Sequence, residues 1–391
     1  GFELGNEGFV NFALDYKHQN VSDRSDNAPY TDSAGHTSLE HTYYGTGLPK
    51  VENFSLGYNA ELPVNDALTL YSFSTYTNRE SSKPLAFHQP ASFNGIPTPY
   101  PEGIEDNLRF IENDFQFAFG GKGEAAGWDY DLSTTYGQDH ARATLTDTYN
   151  LSYGPDSPTN VDTGVKTFSQ WTSNLDLTRA FDLGLAKPTQ ISWGLEHRYE
   201  NYKIGKGEYA SYGYGDYQYG ANGALIAPGT ISGAGTTPAD AASKGRTSYA
   251  GYGEIGQDFT DKWHVDLAGR YEHYNDGSGV TTNGKLSTRY QLTPILAVRG
   301  TASTGFRAPS LAQQIYSSTS QSSVNGNLID YRNVAVDSDV AKALGASTLK
   351  PEKSTNYSIG LTLQPTPASS LTIDAYQIKI SDRTYMGSFA Y

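Results

Sequence analysis

Five tyrosines crowd one short segment, EYASYGYGDYQYG, at Tyr209, Tyr212, Tyr214, Tyr217 and Tyr219. A phenol offers a rigid ring for contact and a hydroxyl for hydrogen bonding, so such a surface binds small ligands at low entropic cost. The plainer alternative is that these rings pack a surface loop against its neighbours. Arg198, Arg270 and Arg299 sit among alternating polar residues, where their guanidinium groups could guide an anionic ligand by charge complementarity. The competing reading, which we favour, pairs them with carboxylates such as Glu196, Glu200 and Glu272. In HTSLEH, His36, Glu40 and His41 could hold a divalent metal, and Asp23, Asp26 and Asp32 could hold calcium. Neither set has a recognised ligand spacing, and acidic loop residues are usually just solvated, so no metal is expected. His140 beside Asp139 and His197 beside Glu196 could move a proton, but the sequence has no G-x-S-x-G elbow, no H-E-x-x-H and no P-loop. With zero Cys there is no thiol nucleophile and no thiolate metal site. A triad assembled from distant strands stays open, but we expect no catalytic residue and no cofactor.

What must position these residues follows from composition. There are 41 Gly, 30 Tyr and 16 Phe but one Met, an excess of turn and strand formers over helix formers that predicts an all-β chain. A mean hydropathy of -0.55 suits a barrel, in which only alternate strand residues meet lipid. No segment reaches the roughly 20 apolar residues of a membrane-crossing helix, so any crossing must use a closed barrel. The net charge of -14, without a Lys/Arg cluster, excludes nucleic-acid binding. Absence of Cys suits passage through an oxidising compartment. The opening Gly1-Phe2-Glu3-Leu4 is no signal peptide, and the chain is expected to begin downstream of a true amino terminus.

Period-two alternation marks strands with one apolar and one polar face. Phe54, Leu56, Tyr58, Ala60 and Leu62 share a face, as do Trp128, Tyr130, Leu132, Thr134 and Tyr136. Ile191, Trp193 and Leu195 form another, then Trp263, Val265, Leu267, Gly269 and Tyr271, and finally Tyr357, Ile359, Leu361 and Leu363. Weaker alternation covers 8–17, 67–79, 113–120, 168–179, 247–258, 284–292, 295–304 and 371–380. The total is roughly 13 strands of the length that crosses a bilayer when tilted. Connections at 63–66, 121–127, 180–188, 259–262, 293–294 and 365–370 are short; those at 18–52, 80–112, 138–167, 205–246 and 305–353 are long, and 275–283 alone is brief on that side. This alternation predicts a transmembrane antiparallel up-and-down β-barrel in a bacterial outer membrane, with tight periplasmic turns and long outer loops. A soluble β-sandwich has no reason to put its long loops on one side. Trp128 and Trp263 follow short turns, where an interfacial girdle belongs. An odd strand count cannot close a bacterial barrel, so the chain is expected to be a fragment.

Three stretches resemble the barrel of TonB-dependent outer-membrane receptors. They are GNEGFVNFALDYKHQNVSDRS at the start, TASTGFRAPSLAQQIYSS over 301–318, and LKPEKSTNYSIGLTLQP followed by LTIDAYQIKISDR over 349–383. The resemblance implies a barrel of about 22 strands enclosing an amino-terminal plug, with 1–391 as a partial barrel domain that lacks the plug and the last strands. It gives Arg307, Pro309 and Glu352 a structural role at the rim. The terminal Phe389-Ala390-Tyr391 is read as chance mimicry of an assembly signal. The implied function is uptake of a scarce nutrient, first a ferric siderophore and next cobalamin or an oligosaccharide, captured by the outer loops. Outer-membrane lipid and the TonB complex, reached through the plug, are the expected partners. A passive porin and an outer-membrane barrel enzyme are the alternatives from other classes.

Overall fold

The computed structural model describes every residue except 6, 25–26, 32–36, 43–46, 89–94, 221–222, 325–326 and 388–391, and gives backbone alone for 27–31, 37–42 and 322–324. Fourteen strands form one antiparallel sheet, each hydrogen-bonded to the next in its order along the chain. A short β1 (Phe2–Leu4) precedes β2 (Gly8–Gln19), β5 (Lys50–Asn65), β6 (Leu68–His88), β7 (Ile104–Ala125) and β8 (Trp128–Thr146). Then follow β9 (Asn160–Phe181), β10 (Thr189–Gly205), β11 (Ala242–Thr260) and β12 (Trp263–Tyr274). The sheet ends with β13 (Val280–Thr293), β14 (Leu296–Arg307), β17 (Glu352–Thr366) and β18 (Ser369–Ser381). The edge strands β1 and β18 do not pair with each other, so the sheet is open. Two hairpins, β3 (Asn27–Thr31) with β4 (Thr37–Thr42) and β15 (Ser318–Val324) with β16 (Asn327–Asn333), stand in the long connections.

The alternation in each strand lines up across the sheet. Leu132 faces Leu175, which faces Leu195; Ile255 faces Leu267, which faces Leu286; Val298 faces Leu361, which faces Ile373. One face is therefore continuously apolar, and a slip of one residue in any pair would break it. Leu132, Leu195, Leu267 and Ile359 remain more than half exposed at 59%, 53%, 57% and 61%, so no second layer covers that face. The larger buried apolar side chains, Leu145, Tyr149, Val161, Ile204, Ile226 and Leu311, instead gather at the long-loop end. The core of this chain lies among its loops.

At the opposite end, strands reverse tightly. Between β7 and β8, Ala126 (φ 54°) and Gly127 (φ 75°) both adopt the left-handed region, the turn whose twist matches the strands it joins. A Cβ on Gly127 would lie 3.2 Å from the Arg179 guanidinium carbon.

Two expectations need correction. The short β1 makes an even set of strands where alternation gave an odd one, because three residues are too few to show a period. The expected loops 80–112 and 138–167 are largely strand, since β6, β7 and β9 run for 21, 22 and 22 residues. Their far ends break the alternation, with Leu108 and Phe110 of β7 on one face and Ile111 on the other, and are held by cross-strand pairs such as Arg109 with Glu80, at 2.7 and 2.6 Å. Ladder hydrogen bonds continue there without any apolar alternation to reveal them.

Candidate functional site

The tyrosine-rich segment joins β10 to β11 and begins with a one-turn helix, α1 (Tyr209–Tyr212). It is fixed by a neighbouring 3-10 turn at Leu151–Asp156. Asn150, 1% exposed, donates through Nδ2 to the carbonyls of Ala210 (2.8 Å) and Gly213 (2.9 Å), while its Oδ1 accepts from the Ser152 amide (3.0 Å) and hydroxyl (2.6 Å). All its polar capacity is thus used in a buried position, which specifies one arrangement of the two loops. The Ser152 hydroxyl accepts from the Gly215 amide at 2.8 Å, and its carbonyl accepts from Tyr217. Gly154, at φ 60°, lets the Tyr217 ring pack closely; a Cβ there would meet that ring at 2.6 Å.

Of the five tyrosines, Tyr209, Tyr217 and Tyr219 stay exposed, and Tyr212 and Tyr214 are half-buried. Tyr209 and Tyr212 meet edge to face at 5.5 Å. Burial, with the Asp330 carboxylate as a smaller cause, raises the Tyr214 phenol above its ordinary range, so it stays a neutral donor. The structure therefore gives both readings of this segment a share: part of it packs, and part presents rings to solvent.

Three further ties make the long-loop end one body. His88 Nε2 lies 3.1 Å from the Ser232 hydroxyl and 3.6 Å from the fully buried Asp106, which accepts from Thr148 at 3.3 Å. Asp240 accepts from Ser317 (2.6 Å) and Thr237 (2.7 Å), joining the tyrosine loop to the start of β15. Arg246, 5% exposed, donates to Glu200 (3.0 and 2.7 Å), to the Pro309 carbonyl (2.8 Å) and to Asp276 (3.4 Å), and lies 5.0 Å over the Tyr274 ring. Asp276 also accepts from Gln314 (2.9 Å), in the short helix α2 (Leu311–Ile315). Arg307 pairs with Glu352 at 3.1 Å, so Arg307, Pro309 and Glu352 are all engaged where β14 and β17 meet the loops.

On the polar face of the sheet, Arg270 donates to Glu196 (3.2 Å) and pairs with Glu272 (2.9 Å), Arg198 donates to Glu196 (2.7 Å), and Arg299 binds both oxygens of Asp374 at 2.7 Å. Each arginine already has a carboxylate partner. Around Arg270 lies a shallow cavity of about 470 Å³, bordered by Asp176, Glu196, Tyr252, Arg270 and Lys285. No hydrogen bond or ring contact joins the five tyrosines to the three arginines among the described residues.

Asp139 and Glu196 lie on the polar face, whereas their neighbours His140 and His197 lie on the other, His140 bonded to Thr167 (3.0 Å) and His197 in tilted ring contact with Tyr249 (5.0 Å). Neither pair can act together. Among the described residues no group of three His, Asp or Glu is placed to hold a metal. His36, Asp26 and Asp32 fall outside the described residues, as do the side chains of Glu40 and His41 and the terminal Phe389-Ala390-Tyr391.

Sequence reasoning missed Asn150, Asp240 and Arg246. An Asn two residues before a Ser hints at a side-chain-closed turn, but nothing around Arg246 signals a buried cation.

A family model described as TonB dependent receptor-like, beta-barrel matches residues 64–389. No curated protein matches the chain by sequence. The structure is similar to that of the siderophore receptor PirA from Acinetobacter baumannii, at TM-score 0.59 and 13% identity, covering 97% of this chain and 49% of that one. It is similar to the ferric enterobactin receptor PfeA from Pseudomonas aeruginosa, at TM-score 0.60 and 11% identity over 97% and 49% of the two chains. For the ferric-catecholate import receptor Fiu from Escherichia coli K12 the values are 0.53 and 13%, over 97% and 55%. The chain spans about half the length of these structures, and at such identity the likeness is one of fold.

Proposed function

Because this chain belongs to the TonB-dependent receptor-like β-barrel family, we propose that it forms the wall and ligand-facing loops of a bacterial outer-membrane receptor that imports a scarce nutrient, a ferric siderophore in first place. In this reading 1–391 is a barrel portion, the apolar face meets lipid and the polar face lines the lumen. The observation that carries the proposal is the family match over 64–389. The loop body supports it. Asn150, Asp240 and Arg246 hold three long connections in one arrangement, so a ligand would meet a surface already ordered and would not bear the cost of ordering it.

Exposed Tyr209, Tyr217 and Tyr219 are the proposed contacts, since their rings suit catechol or other aromatic faces. Arg198, Arg270 and Arg299 have a supporting role, balancing carboxylates along the passage. The chemistry is capture and gating with no covalent step; energy would come from the TonB complex through a plug domain. Cobalamin or an oligosaccharide is the alternative cargo, and a passive porin or barrel enzyme the alternative class.

The test is uptake of a panel of labelled ferric siderophores by cells lacking the full-length gene. Uptake of one siderophore should fall to background. A copy carrying Tyr209→Ala, Tyr217→Ala and Tyr219→Ala should restore the protein but leave uptake at low ligand at least about tenfold down, as lost aromatic contacts of this kind cost about 1.4 kcal/mol or more in sum. Unchanged uptake of every siderophore ends the iron reading, and a growth defect on cobalamin or one sugar redirects it.

A further inference from the structure

On the polar face, at the end where the strands reverse tightly, one histidine has both ring nitrogens engaged. His264, the second residue of β12, has Nδ1 3.1 Å from Asp258 Oδ1 of β11 and Nε2 2.9 Å from Asp266 Oδ1 of its own strand. A carboxylate oxygen only accepts, so both nitrogens must donate, and a neutral imidazole carries a single N–H. The trio therefore holds one proton more than a neutral ring and two carboxylates would. Imidazole is the strongest base among them, so that proton sits on the ring. Gly256 leaves room for the arrangement, since a Cβ there would stand 3.0 Å from the same Asp266 oxygen.

The bridge closes the end of a ladder. Asp258 and His264 are direct partners, and the register shifts just beyond them, where the β11–β12 turn begins. Asp258 also lies 3.5 Å from Lys187 Nζ in the β9–β10 turn, and Asp266 accepts from the Ser287 hydroxyl of β13 at 3.0 Å. The imidazolium thus stands at the centre of ties that run from the β9–β10 turn to β13. Arg289, its register partner on β13, donates to Gln291 at 2.6 Å, and its charge opposes that of the ring. A ring without its second proton can hold only one of the two acids. Each acid then keeps another partner, Lys187 for Asp258 and Ser287 for Asp266. The same residues have two arrangements, and a proton selects between them.

We propose that His264 is a proton-operated latch at the short-turn end of the sheet. Protonated, it fastens Asp258 to Asp266 and holds the β11–β12 turn; at alkaline pH it gives its proton to solvent, drops one carboxylate and frees the turn. That this end is the periplasmic mouth of the lumen rests on the membrane reading above.

The experiment is hydrogen exchange of the purified full-length receptor in detergent micelles, followed by mass spectrometry over 257–266 at pH 7 and pH 9, with each rate taken relative to the intrinsic rate at that pH. Protection should fall about threefold or more between the two, a modest step because the His264 side chain is 38% exposed. His264→Lys, still charged at pH 9, should keep its protection, whereas His264→Gln, which carries no charge, should be weakly protected at both. Asp258→Asn, which leaves the ring in place, should shrink the step. Heat-dependent gel mobility verifies that each variant is folded. A flat wild-type profile overturns the latch, as does a full step in His264→Gln or His264→Lys. Labelling of Asp261→Cys in intact cells by an impermeant thiol reagent, with the step intact, would instead overturn the periplasmic placement and the membrane orientation behind it.

Discussion

At Asp276, burial and hydrogen bonding pull a carboxyl in opposite directions. Burial favours the neutral acid, but hydrogen bonds from Gln314 and Ser278 and the Arg246 charge outweigh it and hold the group below its ordinary range. A carboxyl lowered by folding lends stability that is complete above its unfolded value, near 3.9, and is lost as pH falls through the folded value beneath it. Protection from hydrogen exchange over 305–316, taken relative to the intrinsic rate at each pH, should therefore be high at neutral pH and fall below about pH 4. Asp276→Asn should exchange faster at neutral pH and lose most of that acid step; an unchanged step would remove Asp276 from the account. Little of this was legible in the sequence. Pro309 and Arg307 drew notice through the Gly-Phe-Arg-Ala-Pro-Ser turn, but their partners Arg246 and Glu352 lie 63 and 45 residues away. Such pairs are set by register, which no local pattern encodes.

Elements were more legible where one face is apolar. Every strand with strong alternation, such as 53–62 and 263–271, lies within a strand of the sheet with its expected face shared by its neighbours. Legibility stops where the alternation breaks, as in the far end of β7, with Leu108 and Phe110 on one face and Ile111 on the other, and in the polar β15, because a ladder of backbone hydrogen bonds needs no side-chain period. The two faces should answer differently to charge. Leu195→Arg, midway between Ile191 and Tyr199 on the apolar face, should destabilise the folded barrel by about 2–4 kcal/mol. Asn283→Ser, on the polar face, should cost less than about 1 kcal/mol. Urea midpoints in lipid vesicles compare them, and similar costs would mean the faces are misassigned.

At the scale of the molecule, a sheet with one bare apolar face and two unpaired edges is stable only when that face meets something apolar and the edges find partners. That no helix among the described residues is long and apolar enough to cross a membrane says nothing against this, since β-barrels cross with strands. Loop length gives the sheet a direction: buried Asn150, Asp240 and Arg246 build a body at one end, while turns such as Ala126-Gly127 close the other. The central claim is that this direction runs from outside the cell to the periplasm. These 391 residues contain no Cys, so a single cysteine placed among them can be read against the unsubstituted parent. Full-length protein in intact cells, carrying Tyr217→Cys or Asp261→Cys, should be treated with a membrane-impermeant thiol reagent. Position 217 should label in intact cells, and position 261, in the short β11–β12 turn, only after the outer membrane is broken. Labelling of 261 but not 217 in intact cells would contradict the account.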